Sequence, residues 1–199
     1  MVRTASLVLG GAIVAGAVLL ARADELTPQL SAAFQDKMQA VMKNGAAPKP
    51  APRTTHFEEL ELNSYLRFGV TEYLPVGLTE PFIKLMGQGR ANLRGVVDLD
   101  KVRESQGKKS WYDPTAYLTG RIPIIVTGVL SAADGVGRFN VERIEVKGVP
   151  MPKRLLQEIL SYYTKSAEYP NGVNLDDQFT LPASIRRADV EAGRAIITQ

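Results

Sequence analysis

The fold is decided by residues 121–149, RIPIIVTGVLSAADGVGRFNVERIEVKGV. Residues 121–130 are rich in Ile and Val, and residues 138–149 alternate between apolar and polar side chains, so both stretches are typical of β-strands. Asp134-Gly135 lies in the connection over 131–137, and an Asp-Gly pair favours the tight turn of a hairpin. The sequence therefore predicts a long antiparallel hairpin.

The apolar alternation of the second strand changes phase. Phe139 and Val141 share one face, but Ile144 and Val146 are out of step with them by one residue. Because a strand cannot change face without an extra residue, we predict a β-bulge near residues 142–143. Gly128 in the partner strand would ease the same bend.

Outside this hairpin, helical and strand patterns are mixed. Residues 89–100 alternate as a strand, and the tail over 185–199 reads as a short hairpin turned at 191–193. A capping-box pattern at Thr55–Glu58 predicts a helix beginning there, and an apolar face at helical spacing predicts another over 152–165. These elements predict an α+β fold.

The sequence predicts that the chain is divided into four segments. Residues 1–23 combine a basic Arg3, an uncharged apolar run from Ala5 to Leu20 and the A-x-A pattern of Ala21–Ala23, so they predict a signal peptide or a retained membrane anchor. Residues 24–45 predict an amphipathic helix, 46–53 a Pro-rich spacer, and 54–199 the α+β globular domain. The chain is therefore expected to be secreted or held outside the cytoplasm, in the periplasm or cell envelope.

Charge and composition argue against several classes of function. The formal net charge is +3, but Arg3 and Arg22 belong to the first segment; without them there are 22 basic and 21 acidic residues, a net charge of +1. Such a balance does not predict nucleic-acid binding. Cysteine is absent, so no disulfide, thiolate metal site or thiol nucleophile is expected.

Candidates for catalysis are few. His56 is the single histidine, and no G-x-S-x-G motif occurs. Asp98 and Asp100 lie two apart on a predicted strand, where they either form a carboxylate pair for a cation or acid–base chemistry, or end the strand in solvent. We expect no catalytic residue, no metal site and no cofactor.

Three stretches resemble a known family. They are residues 57–66 (FEELELNSYL), residues 148–152 (GVPMP) followed by Leu155-Leu156, and the tail from Phe179-x-Leu181-Pro182 to Gly193-x-Ala195. Together they resemble the LmeA-type phospholipid-binding proteins and the related YpmS-like exported proteins. The resemblance implies a long curved antiparallel β-sheet wrapped around an α-helix, with an apolar groove for acyl chains between them.

On this basis we predict a non-enzymatic, exported protein that binds a lipid or another apolar small molecule, with a membrane surface as a further partner. The predicted groove residues lie on the hairpin and on the helix over 152–165. They are Ile124, Val126, Phe139, Val141, Leu156, Ile159, Leu160 and Tyr163. The alternative is a scaffold or assembly module that docks an unidentified protein through its N-terminal helix and has a filled core.

Overall fold

The computed structural model describes residues 25–70, 74–106, 120–163 and 170–199. The predicted signal or anchor segment, residues 1–23, lies outside these ranges. The helices are α1 (Pro28–Gly45), α2 (Glu59–Phe68), α3 (Leu99–Gln106) and α4 (Lys153–Tyr163). The strands are β1 (Thr54–Glu58), β2 (Leu78–Gly87), β3 (Arg90–Asp98), β4 (Arg121–Ala133), β5 (Val136–Val146), β6 (Val149–Pro150), β7 (Phe179–Thr180), β8 (Arg187–Glu191) and β9 (Arg194–Thr198).

A six-stranded antiparallel sheet forms the larger part of the fold. Its order is β2-β3-β4-β5-β6, with β7 paired to β5. The hairpin β4–β5 is the predicted one, and Asp134 and Gly135 at its tip have φ of 53° and 79°, as a type I′ turn requires. The predicted α+β class, with its long curved antiparallel sheet, is confirmed.

The predicted bulge is also present. Thr127 pairs with Arg143 whereas Gly128 pairs with Val141, so Glu142 is the extra residue. A Cβ atom on Gly128 would lie 2.5 Å from the carbonyl oxygen of Asn140, which shows how closely the two strands approach. The bulge restores the apolar phase, because Ile144 then lies on the same face as Val141.

The N-terminal helix packs against the rest of the molecule. Phe34 and Val41 of α1 form a buried cluster with Phe57 and Ile185, and the Phe34 ring stacks on Tyr65 of α2 at a centroid distance of 4.8 Å. Thus the helix predicted as a separate segment over 24–45 shares a core with the residues after the spacer. The helices in the described ranges are too short or too polar to cross a membrane.

The predicted start of the second helix is wrong. Thr54–Glu58 is strand β1, paired with β9, and α2 begins only at Glu59. Thr55 and Phe57 point into the protein while their neighbours are exposed, a period-2 pattern that suits a strand. A capping box does exist, but it lies three residues later in the chain and is formed by Glu58 and Glu61.

Helix α2 lies along the edge of the large sheet, beside β2. The Asn63 amide donates to the Ile83 carbonyl oxygen at 2.8 Å, and the Ile83 N–H donates to Asn63 Oδ1 at 2.7 Å. Two residues further along β2, the Leu85 N–H donates to Glu59 Oε2 at 2.7 Å. Side chains of α2 therefore take the hydrogen-bonding role that a further strand would have.

Replacing Asn63 with Leu tests this edge contact. Asn63 is 1% exposed, so N63L leaves the N–H and C=O of Ile83 buried without partners. We expect the free energy of unfolding to fall by about 2–4 kcal/mol. Urea denaturation measures this loss.

The matched control is Asn171→Leu, in an exposed loop, which should change stability by less than about 0.5 kcal/mol. Equal stabilities of the two variants would contradict the role given to Asn63.

Candidate functional site

An open pocket of about 620 Å³ lies where the N-terminus of α1, the C-terminus of α2 and the beginning of β2 meet. Its volume is within the roughly 300–1,000 Å³ of small-molecule sites. We call it the edge pocket because it borders the first residues of β2, the edge strand of the large sheet. It is lined by Leu26, Leu66, Arg67, Leu74, Leu78, Thr79, Glu80, Pro81 and Phe82.

The edge pocket exists because α2 covers only part of β2. Asn63 and Glu59 accept hydrogen bonds from the N–H groups of Ile83 and Leu85, and α2 ends at Phe68 before it reaches the first residues of β2. Gly69 allows this ending, since a Cβ atom there would lie 2.4 Å from the Tyr65 ring. Among the described residues, the beginning of β2 thus borders the pocket and not a helix.

A second irregularity shapes the uncovered part of β2. The register of β2 against β3 shifts between Thr79 and Phe82, and Glu80 has a φ of 53°. Pro81 has no N–H to offer to another strand. A bulge and a proline are common ways to prevent an edge strand from pairing with a second chain. The pocket therefore borders an edge that is unsuited to strand addition.

The pocket walls are mainly apolar. Six of its nine residues are Leu, Pro or Phe, and all six are half-buried. Two of the lining residues are charged, with opposite signs. Glu80 accepts a hydrogen bond from Arg121 at 2.6 Å, and Arg67 carries an exposed guanidinium group. Such walls suit an aliphatic chain, and the guanidinium suits an anionic group at the end of that chain.

The structure brings the four predicted groove residues of the hairpin onto one sheet face. Ile124 and Val126 are two residues apart on β4 and therefore share a face. The register places Phe139 and Val141 of β5 on that same face. Val141 is buried, and the other three are half-buried.

The other four predicted groove residues lie on α4, which contacts β5. Leu156 and Leu160 are half-buried, while the side chains of Ile159 and Tyr163 are outside the part that the structure describes. None of the eight predicted residues lines the edge pocket. A groove between α4 and the sheet stays a prediction.

Leu78 connects the edge pocket to the apolar sheet face. A Cβ atom on Gly95 would lie 2.8 Å from Leu78 Cδ1, so the Leu78 side chain covers Gly95. Gly95 pairs with Ile124, one of the predicted groove residues. The pocket and the predicted groove are therefore neighbours along one apolar surface.

The sequence reasoning missed the edge pocket. Pro81, inside a stretch of strand-forming residues, could have indicated an edge strand, because proline within a sheet is found at edge strands or bulges. The apolar pattern of α2 indicated a buried face for Leu66. It could not show where on β2 the helix ends.

Asp98 and Asp100 do not lie on one strand, which the alternative of a carboxylate pair required. Asp98 ends β3 and Oδ1 accepts from the Lys101 N–H at 3.2 Å, whereas Asp100 belongs to α3 and accepts from the Gly120 N–H at 3.0 Å. The chain turns from strand to helix at Leu99, so the alternation stops between the two. Within the described ranges, no group of three or more His, Asp or Glu side chains could hold a metal ion.

No protein-family model matches the chain, and no curated protein sequence matches it at a significant level. The resemblance to LmeA-type proteins therefore stays a prediction. Among solved structures, a lipopolysaccharide binding protein is similar, with 13% identity and a TM-score of 0.23 over 73% of this chain and 40% of that one. The chain thus corresponds to less than half of that protein, and a likeness this weak has no bearing on fold or ligand.

Proposed function

We propose that this protein is a non-enzymatic, extracytoplasmic protein that binds a lipid or another apolar ligand with an anionic head, in the edge pocket. The single observation that supports this most is a pocket of about 620 Å³ with six apolar lining residues and one arginine. Export is supported by the apolar pattern of residues 1–23.

The orientation of the ligand follows from the distribution of the polar groups. Leu26, Leu66 and Leu78 offer half-buried surface to an acyl chain, and each methylene removed from water contributes about 0.8 kcal/mol. Arg67 is exposed, so the head group stays near solvent beside its guanidinium. The apolar face of the sheet continues from Leu78 over Gly95 to Ile124.

The alternative function, docking of a partner protein through the N-terminal helix, has less support. The apolar side of α1 is occupied, since Phe34 and Val41 are 8% and 1% exposed within the core cluster. A helix that binds a partner would need such a face to be free.

Native mass spectrometry of the full chain, extracted from membranes in a mild detergent, tests the proposal directly. We expect a fraction of the protein to carry one lipid of fixed mass. Protein that is always ligand-free, and that does not take up palmitate when it is added, would overturn the proposal.

Filling the pocket should prevent binding. Leu74 lies outside the helices and strands and is half-buried in the pocket, so Leu74→Trp adds volume without changing a buried core position. Excluding two methylenes of the ligand costs about 1.6 kcal/mol, which corresponds to a loss of at least about tenfold in affinity for palmitate. Titration against a fluorescent fatty acid measures the affinity.

Two tryptophan variants of α4 complete this test. Leu155→Trp is the control, because Leu155 is exposed and should tolerate the change with less than about twofold loss. Leu156→Trp alters a predicted groove residue instead. A loss with L156W but not with L74W would place the ligand between α4 and the sheet and overturn the assignment to the edge pocket.

Charge reversal at Arg67 tests the head-group contact. Because Arg67 is exposed, its ion pair with a carboxylate is worth at most about 1 kcal/mol, so Arg67→Glu should weaken palmitate binding about fivefold. Hexadecanol has the same chain without the charge, and its affinity should be unchanged.

The control for Arg67→Glu is Arg138→Glu, an equal change of charge at an exposed position of β5. Similar losses for palmitate in both variants would show a general effect of net charge and not a contact with Arg67.

A further inference from the structure

The edge pocket lies close, along the chain, to the apolar N-terminal segment. Leu26 lines the pocket, and the apolar run ends at Leu20, six residues earlier. Six residues span at most about 20 Å even when fully extended. If residues 5–20 enter a bilayer, the pocket is therefore held within about 20 Å of the point where the chain leaves it.

Exposed apolar side chains occur at the same end of the molecule. Phe68 is 43% exposed and follows Arg67, and Val76 is 59% exposed and lies two residues from both Leu74 and Leu78. The guanidinium of Arg67 is 5.7 Å from the centroid of the Phe68 ring. An aromatic ring next to a basic group is a combination suited to the interface of an anionic bilayer.

We infer that this end of the molecule docks on an anionic lipid surface, with Phe68 and Val76 inserted and Arg67 at the level of the head groups. The edge pocket then opens toward the membrane, which is the source of its ligand. This inference rests on the proposed function, because it names the surface from which the same pocket is loaded. In this arrangement the apolar N-terminal segment holds the edge pocket close to the bilayer.

Fluorescence quenching at single introduced cysteines tests the orientation. The natural chain contains no cysteine, so Val76→Cys can be labelled with bimane at one position in the full chain. Vesicles of phosphatidylcholine and phosphatidylglycerol carry a fraction of lipid spin-labelled near the head group. We expect the label at residue 76 to lose at least about half of its fluorescence.

Val136→Cys is the matched control. Val136 is also an exposed valine, at 41%, but it lies at the β4–β5 turn, at the other end of the strands from the beginning of β2. By register, Leu78 is level with Ile122 of β4 and Val136 is level with Ala133, and eleven residues of strand span about 36 Å. The label at residue 136 should therefore keep its fluorescence in the same vesicles.

Equal quenching at the two positions, quenching only at residue 136, or quenching at neither would overturn the docking orientation. Palmitate affinity is measured on the same labelled proteins, so that the two proposals can fail separately. Quenching confined to residue 76 without palmitate binding would support docking and refute the pocket's function. Palmitate binding without quenching at residue 76 would support the pocket's function and refute the docking.

Discussion

The contact on which the arrangement of the molecule depends is the pairing of the Asn63 side chain with the backbone of Ile83. An amide side chain has one donor and one acceptor side, as a peptide group has, so it can satisfy both polar groups of an edge residue. This fixes α2 alongside β2 at hydrogen-bond distances of 2.7 and 2.8 Å. Because α2 also carries Tyr65, which stacks on Phe34, the same contact positions α1 relative to the large sheet.

Two buried apolar clusters lie on either side of this contact and depend on its position. One cluster is built on Phe34 and Phe57 between α1, α2 and the small sheet, and the other on Leu85 and Val190 between the two sheets. Leu62, the neighbour of Asn63, packs against both. The hydrogen bond thus sets the register, and the apolar side chains on either side of it supply most of the stabilisation. A shift of α2 by one turn would disturb both clusters.

The sequence predicts the sheet better than it predicts the site, for a physical reason. The hairpin β4–β5 and its bulge at Glu142 depend on alternation and turn residues that are local to one stretch of chain. The predicted beginning of α2 is wrong because Thr55 and Glu58 match a capping box by spacing alone, while the pairing of residues 54–58 with β9 makes them a strand. The edge pocket depends on where α2 stops along β2, and contacts between residues twenty or more positions apart determine that.

Two of the three register shifts in the large sheet are stabilised in the same way, by an ion pair on one face. Glu142 is held by Arg90 across β4, with N–O distances of 2.9 and 3.1 Å, and Glu80 is held by Arg121 across β3 at 2.6 Å. The hydrogen bond to Glu142 also raises the pKa of Arg90. By strand register, both arginines lie on the face opposite Ile124, so each ion pair keeps a bulge carboxylate on that opposite face. These two irregularities therefore add charge to one face only, and the face that continues from Leu78 to Ile124 stays apolar.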